Sequence, residues 1–326
     1  MNYLKTFLPY LFGNKKGKSL DIPLPDPVPW SSLRFEERLM FLALKDQLDS
    51  YLKGIDLNHL ENKQDIFHLF NFLDYVNSHD RQTITSCYSS EFSLYIKALE
   101  ARALYAYELQ NLLDFKNDRT TLFVILKKDR RIPGRLILKN KNNQFLTNKD
   151  SSLWSIPILG LSGRDLSFHH SNGQTPMGVY YIDGVMPEAN NKIEFGEHRR
   201  LIINFIKNSP EEAELAQFLP KTHHELDWWK QSVLARSLGR SLLRIHGSGR
   251  VNRNPFNAYY PFVPTSGCLA TNEGRSLWGK KASDQRLLLD QLLLAQGLER
   301  SFENESKIQG LLYVVEFSDN LSTLRF

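Results

Sequence analysis

Thr120–Lys128 reads TTLFVILKK, a run of β-branched and aromatic residues with no glycine or proline inside it. Such a run favours a buried strand over a helix. Arg130–Asn140, RRIPGRLILKN, turns through Pro133-Gly134 into a second strand. Further strands are read in LWSIPILGLSG (153–163), QTPMGVYYIDG (174–184), HRRLIINFI (198–206), SLLRIHG (241–247) and GLLYVVEFS (310–318). In 174–184 the alternation places Val179, Tyr181 and Asp183 on one side. A polar insert around Glu211–Trp229 and the run ASDQRLLLDQLLLAQ (282–296) read as helices. Strands predominate without a βαβ rhythm, so the expectation is an α+β chain whose residues 119–326 form a mostly-β domain with inserted helices.

Upstream the periodicity changes. Residues 1–30 form a tail and a linker, with four prolines in SLDIPLPDPVPW (19–30). Residues 31–118 carry apolar stripes near a 3.6-residue period: Phe41, Leu44, Leu48 and Leu52, then Ile66, Leu69, Phe70, Leu73 and Val76. A third helix is expected from Phe92 to about Phe115. These stripes predict a small all-α N-terminal domain. The 326-residue chain has room for both domains and a sizeable core.

Residues 1–118 carry 13 Lys+Arg against 16 Asp+Glu, a net −3, and the remainder 28 against 20, a net +8. The basic C-terminal part suits an anionic partner such as a carboxylate-rich polymer. No RNA-recognition signature, finger spacing or long basic run is present, which argues against nucleic acid. No run of 18 apolar residues predicts a transmembrane helix. The start, MNYLKTFLPYLFGNKKGKSL, has a short apolar core broken by Lys5 and Pro9 and makes a weak export signal. Cys87, in the polar loop ITSCYSSE, and Cys268 fall in different expected domains, so no disulfide is expected between them.

The chemistry concentrates in Arg244–Asn272, RIHGSGRVNRNPFNAYYPFVPTSGCLATN. His246 ends a strand at a glycine and Cys268 follows the small residues Ser266-Gly267. A base and a thiol supplied from separate turns can form an activated nucleophile. Main-chain N–H groups of Gly267 and Cys268 are candidates for an oxyanion hole. Arg250 and Arg253 are candidates to hold a substrate carboxylate through a two-pronged contact. Tyr181, Tyr259 and Tyr260 are candidate cleft walls, and Ser266 and Asn272 (or Thr271) candidate supports of the turn or substrate contacts. The aromatics and prolines of 255–264 predict an ordered wall rather than a linker. His59, His68 and His79 are too dispersed for a metal motif. His169-His170, taken as adjacent residues of an extended chain, face opposite ways, and the same holds for His223-His224 if extended. No metal site is expected.

Three motifs occur together in this order: Thr175-Pro176-Met177-Gly178-Val179-Tyr180-Tyr181-Ile182, then His246-Gly247, then Ser266-Gly267-Cys268. The set resembles the L,D-transpeptidase catalytic domain family (YkuD-like) over about residues 119–318. The resemblance implies a β-sandwich-like domain with Cys268 as nucleophile, His246 as base and the Gly247 carbonyl orienting the imidazole. It implies acyl transfer on peptidoglycan stem peptides through a thioacyl-enzyme: cross-linking, protein anchoring or D-amino-acid exchange, with no cofactor. Most members carry a histidine two residues before the cysteine and an arginine two residues after it; here those positions are Ser266 and Ala270. That pattern is closer to a divergent branch that includes an enzyme cleaving the peptidoglycan–lipoprotein link. Hydrolysis (an L,D-carboxypeptidase or peptidoglycan–lipoprotein amidase, with wall-attached lipoprotein as a partner) is therefore the alternative. A non-catalytic wall-binding or scaffold protein is a second alternative. The family implies a periplasmic or exported location.

Overall fold

A computed structural model describes residues 93–187, 191–206, 213–275 and 281–318. The tail and linker 1–30, the helices expected over 32–52 and 66–76, the three dispersed histidines and Cys87 lie outside the described residues. The mostly-β α+β class holds for the remainder.

Two helices come first, α1 (Ser93–Glu100) and α2 (Ala106–Asp114). One continuous helix was expected here, and local polar contacts explain the break. Arg102 grips Glu108 with two bonds of 2.8 and 2.6 Å, and Glu108 accepts the Tyr105 N–H at 2.8 Å. The reach-back to Tyr105 satisfies a helix-start donor. Leu104 meanwhile donates its N–H to Glu316 at 2.8 Å, pairing with strand rather than helix.

The strands follow as β1 (Thr121–Leu126), β2 (Gly134–Lys139), β3 (Ser155–Leu159), β4 (Gly178–Val185), β5 (Leu201–Phe205), β6 (Arg244–His246) and β7 (Leu269–Thr271). A short hairpin, β8 (Glu273–Arg275) with β9 (Lys281–Ser283), precedes β10 (Gln309–Glu316). Where the resemblance implies two packed sheets, the described strands instead close into one barrel ordered β1-β10-β4-β5-β6-β7-β3-β2. Most neighbours are antiparallel; β1 with β10 and β6 with β7 are parallel. β1 is buried along its whole length because its inner face lines the closed barrel and its outer face is covered by α2.

Alternation along each strand divides the core in two. Leu122, Val124, Leu136, Leu138, Ile158, Tyr180, Ile203, Ile245, Leu269 and Leu312 point into the barrel. There they meet Leu288, Leu289, Leu292 and Leu293 of a later helix, Asp284–Ala295. On the outside, Phe123, Ile137, Val179, Leu311 and Tyr313 are covered by Leu109, Leu112 and Leu113 of α2 and by Trp228 and Trp229. The remaining helices are α3 (Lys192–Phe195), α4 (Ala213–Ala216), α5 (Lys230–Ser237), α6 (the Asp284–Ala295 helix) and α7 (Phe302–Glu305). The longest helix of the insert, α5, thus begins just beyond the expected span.

His223, within the polar insert, is fully buried. It accepts from Trp228 Nε1 at Nδ1, 3.2 Å, and so donates from Nε2 to the Glu108 carbonyl at 2.9 Å. Burial holds it below the ordinary imidazole range, consistent with a neutral structural role. His224 is likewise engaged with the Ala216 carbonyl at 3.0 Å.

One polar residue ties the site-bearing strands from within the barrel. Gln285 is completely buried; its Nε2 donates to the carbonyls of Arg199 at 2.9 Å and Ile245 at 3.1 Å. Its Oε1 accepts the Thr271 hydroxyl at 3.0 Å. Truncation would strand two carbonyls and a hydroxyl in an apolar interior. Gln285→Ala is therefore expected to lower unfolding free energy by about 2–4 kcal/mol in urea titration; a loss below about 0.5 kcal/mol would contradict this bridging role.

Candidate functional site

The parallel register sets Ile245 beside Leu269 and His246 beside Ala270. Ile245 and Leu269 point inward, so Arg244, His246 and Ala270 face outward. Cys268 lies in the bend that immediately precedes β7, and its sulfur sits beside the start of β6, where it meets the Arg244 N–H. His246 therefore lies on β6 two residues beyond Arg244, whose N–H meets the Cys268 sulfur.

The imidazole is oriented by its own backbone. His246 Nδ1 lies 2.5 Å from the Gly247 carbonyl, which has no hydrogen to give, so Nδ1 carries the proton and Nε2 is left as the basic nitrogen. Phe195 of α3 meets the ring edge-on at 5.1 Å, and the Arg200 guanidinium stacks 4.0 Å above Phe195. Burial pulls His246 below its ordinary range; the Gly247 bond opposes this, the Arg200 charge adds to it, and Glu194 opposes it. Gly247 has no room for a side chain, since a Cβ there would strike the carboxylate of Glu273. That carboxylate also accepts the Glu197 N–H at 3.0 Å.

The Ser266–Cys268 turn is fixed from three sides. Thr265 donates its hydroxyl to the Cys268 carbonyl at 2.6 Å, and Thr175 donates to the Gly267 carbonyl at 2.9 Å. Because the peptide is planar and trans, anchoring the Gly267 carbonyl on buried Thr175 turns the Cys268 N–H the opposite way. Gly267 has φ +107°, and a Cβ would run into Arg240 Nη2 and the Gly173 carbonyl. No other residue fits there without displacing buried polar groups.

Cys268 is a free, partly exposed thiol, 3.9 Å from the Leu242 carbonyl. Burial pushes it above the ordinary thiol range. The Arg244 N–H, then the charges of Arg244, Arg240 and Arg200, pull it back down. Its resting form near neutrality is therefore the thiol beside a neutral imidazole, not a preformed ion pair.

The other expected site residues divide. Tyr259 packs with Phe262, Leu159 and Leu161 over Ala270, next to the His246 position. Tyr260, half-buried, precedes a cis Tyr260-Pro261 bond, and Ser266 is exposed at the crest of the turn. The loop between the motifs is ordered by Asn252 and Asn254, whose side chains accept the N–H groups of Asn254 and Phe256 at 3.1 and 3.0 Å. Arg250 is paired with Glu194, so it is not an open carboxylate clamp. Arg253 lies exposed in the loop. Tyr181 is not at the site: it sits on β4 against Phe218 at 5.8 Å, with β5 between it and β6. Asn272 offers its carbonyl to Asp284 N–H at 3.0 Å, while Thr271 bonds Gln285, so Thr265 and Thr175 hold the turn instead.

His169 and His170 lie in a loop, as expected, but the chain turns there instead of extending, and the two rings stack at 4.6 Å, both buried. Among the described residues no group of three or more His, Cys, Asp and Glu side chains could hold a metal ion, and no helix is long and apolar enough to cross a membrane.

Sequence reasoning did not assign Arg200, Arg240, Thr175, Phe195 or Glu273 to the site. Arg244 was legible, because period two places it on the His246 face; Arg240 comes from a loop with no pattern to mark it. Comparisons of the chain with family models, with curated proteins and with solved structures give no match.

The resting protonation state sets the pH behaviour. Alkylation of Cys268 by iodoacetamide is expected to be slow at pH 7 and to climb through and beyond the ordinary thiol midpoint of about 8.5. A rate that has already reached its plateau at about pH 6, as a thiolate–imidazolium pair would give, would contradict it.

Proposed function

We propose that this chain performs cysteine-dependent acyl transfer on peptidoglycan stem peptides, as a divergent member of the L,D-transpeptidase type. The observation that carries the reading is the shared outer face of β6 and β7. His246, its Nδ1–H engaged with Gly247, lies on β6 two residues from Arg244, whose N–H meets the Cys268 sulfur, and Thr175 holds the Gly267 carbonyl so that the Cys268 N–H points away from it.

In this reaction His246 Nε2 takes the Cys268 proton as sulfur attacks the acyl carbonyl. The carbonyl oxygen becomes an oxyanion against the Cys268 N–H. The tetrahedral intermediate collapses, the C–N bond breaks, and His246 returns the proton to the departing amine. A thioacyl-enzyme remains. An acceptor amine then attacks the thioester and gives its proton to His246, the C–S bond breaks, and the departing sulfur takes that proton back, restoring the thiol and the neutral imidazole. Water in place of the amine yields the hydrolytic alternative by the same steps. The resting thiol makes His246 a true general base, because the proton has to move during attack.

Arg244 and Arg200 suit a substrate carboxylate beside the scissile bond better than Arg250 does. Both act electrostatically on the sulfur, whereas Arg250 is ion-paired with Glu194 away from it; Arg244 also donates to the Leu243 carbonyl at 2.6 Å. Guanidinium groups bind carboxylates through paired N–H donors. This accords with the basic balance of residues 119–326.

The test is digestion of purified peptidoglycan by the full chain beside Cys268→Ala and His246→Ala, read by liquid chromatography and mass spectrometry. New cross-linked dimers or exchanged D-amino acids are expected, absent in Cys268→Ala and reduced about 10²–10⁴-fold in His246→Ala. Shortened stems alone would assign the hydrolytic branch. Products identical for wild type and Cys268→Ala on several wall sources would overturn the enzymatic reading in favour of a binding module.

A further inference from the structure

Arg240 follows α5 and is 6% exposed. Its Nη1 donates to the carbonyls of Phe168 and of Gln174, the latter at 2.8 Å, and its Nη2 to the Gly173 carbonyl at 3.0 Å. All these acceptors are neutral, and among the described residues no carboxylate pairs with it. A buried charge without a counter-ion costs several kcal/mol. Neutral donors could serve carbonyls, so the retained charge calls for another explanation.

The neighbours supply one. Nη2 lies directly against Gly267, so the guanidinium sits beneath the Ser266–Cys268 turn. Burial pulls Arg240 below its ordinary range; the groups drawing it back are the Tyr180 phenol and the Cys268 thiol. Tyr180 is completely buried, its hydroxyl donates to the Pro176 carbonyl at 2.7 Å, and burial pushes its ionisation far up. It stays neutral. Cys268 is then the one neighbour that can become an anion in the charge's field. The chain has Ala270, not a cation, two residues beyond the cysteine.

We propose that Arg240 is a positioning residue with two tasks: it fastens the 168–174 loop under the Ser266–Cys268 turn, and its charge stabilises the anion formed when Cys268 loses its proton. The charges of Arg244 from β6 and Arg200, just before β5, also favour the anion at the sulfur, and both persist when Arg240 alone is changed. The inference concerns any thiol chemistry at Cys268 and does not rest on the peptidoglycan reading.

The test needs no substrate. The pH midpoint of iodoacetamide alkylation at Cys268 is measured by peptide mass spectrometry in the full-length wild type, Arg240→Gln and Arg240→Lys, with thermal melts by circular dichroism. Both variants lose the three-carbonyl grip, but only Arg240→Gln loses the charge. The expected result is a midpoint raised by about one pH unit in Arg240→Gln, about tenfold less thiolate at a given lower pH, with Arg240→Lys close to wild type. An unchanged midpoint in folded Arg240→Gln, or an equal rise in both variants, would overturn the proposal. Should Arg240→Gln not fold, Arg240→Lys still tests the proposal, because a raised midpoint in that folded, charge-conserving variant would overturn it.

Discussion

Pairing β6 parallel to β7 is the constraint on which the site depends, because it fixes which side chains share a face. Had the two strands slipped by one residue, His246 would no longer stand beside Ala270, two residues beyond Cys268. The register is held from inside by Ile245 and Leu269 in the apolar core. Gln285 reinforces it by reaching from α6 to Ile245 of β6 and Thr271 of β7. The barrel interior thereby determines the geometry of the candidate site on its exterior.

Around that register the turn before β7 is built from polar contacts rather than packing. Thr175, immediately before the proline that leads into β4, holds the Gly267 carbonyl; Arg240 occupies the space a side chain at 267 would need. Glu316 at the end of β10 pairs with Arg130 at 2.7 Å, and Arg130 in turn donates to the Thr175 carbonyl at 3.3 Å. A chain of charged and hydroxyl groups therefore connects the β1–β10 closure of the barrel to the nucleophile turn. Burial opposes ionisation of the thiol while three guanidinium charges favour it. Such a balance keeps the sulfur quiet at rest and stabilises it once a base removes the proton.

Local sequence rules carried the barrel strands well. Runs such as TLFVIL and GLLYVVE announce themselves by β-branched content, and the Pro133-Gly134 turn marks where β2 begins. The break between α1 and α2 was hidden because Arg102, Glu108 and Leu104 oppose helix through contacts that periodicity does not register. Closure into a barrel was also hidden, since it depends on pairing β1 with β10 across almost two hundred residues of sequence. In the site, His246, Gly247, Gly267 and Cys268 were visible as residue types in small-residue turns. Tyr181 was misplaced because alternation gives the face of a strand but not which strands lie beside it. The stacking of His169 on His170 failed for a related reason: period two applies only where the chain is extended.

The central claim is that Cys268 accepts an acyl group with His246 as its base, and trapping that acyl group tests it most directly. The full chain would be mixed with a soluble disaccharide–tetrapeptide fragment of peptidoglycan, quenched in acid within seconds, and weighed intact. A mass gain equal to the fragment less its terminal amino acid, mapped to Cys268 and removed by neutral hydroxylamine as a thioester would be, is the predicted result. No adduct on Cys268 across a time course from milliseconds to hours, with turnover products nevertheless appearing in solution, would contradict a thioacyl-enzyme.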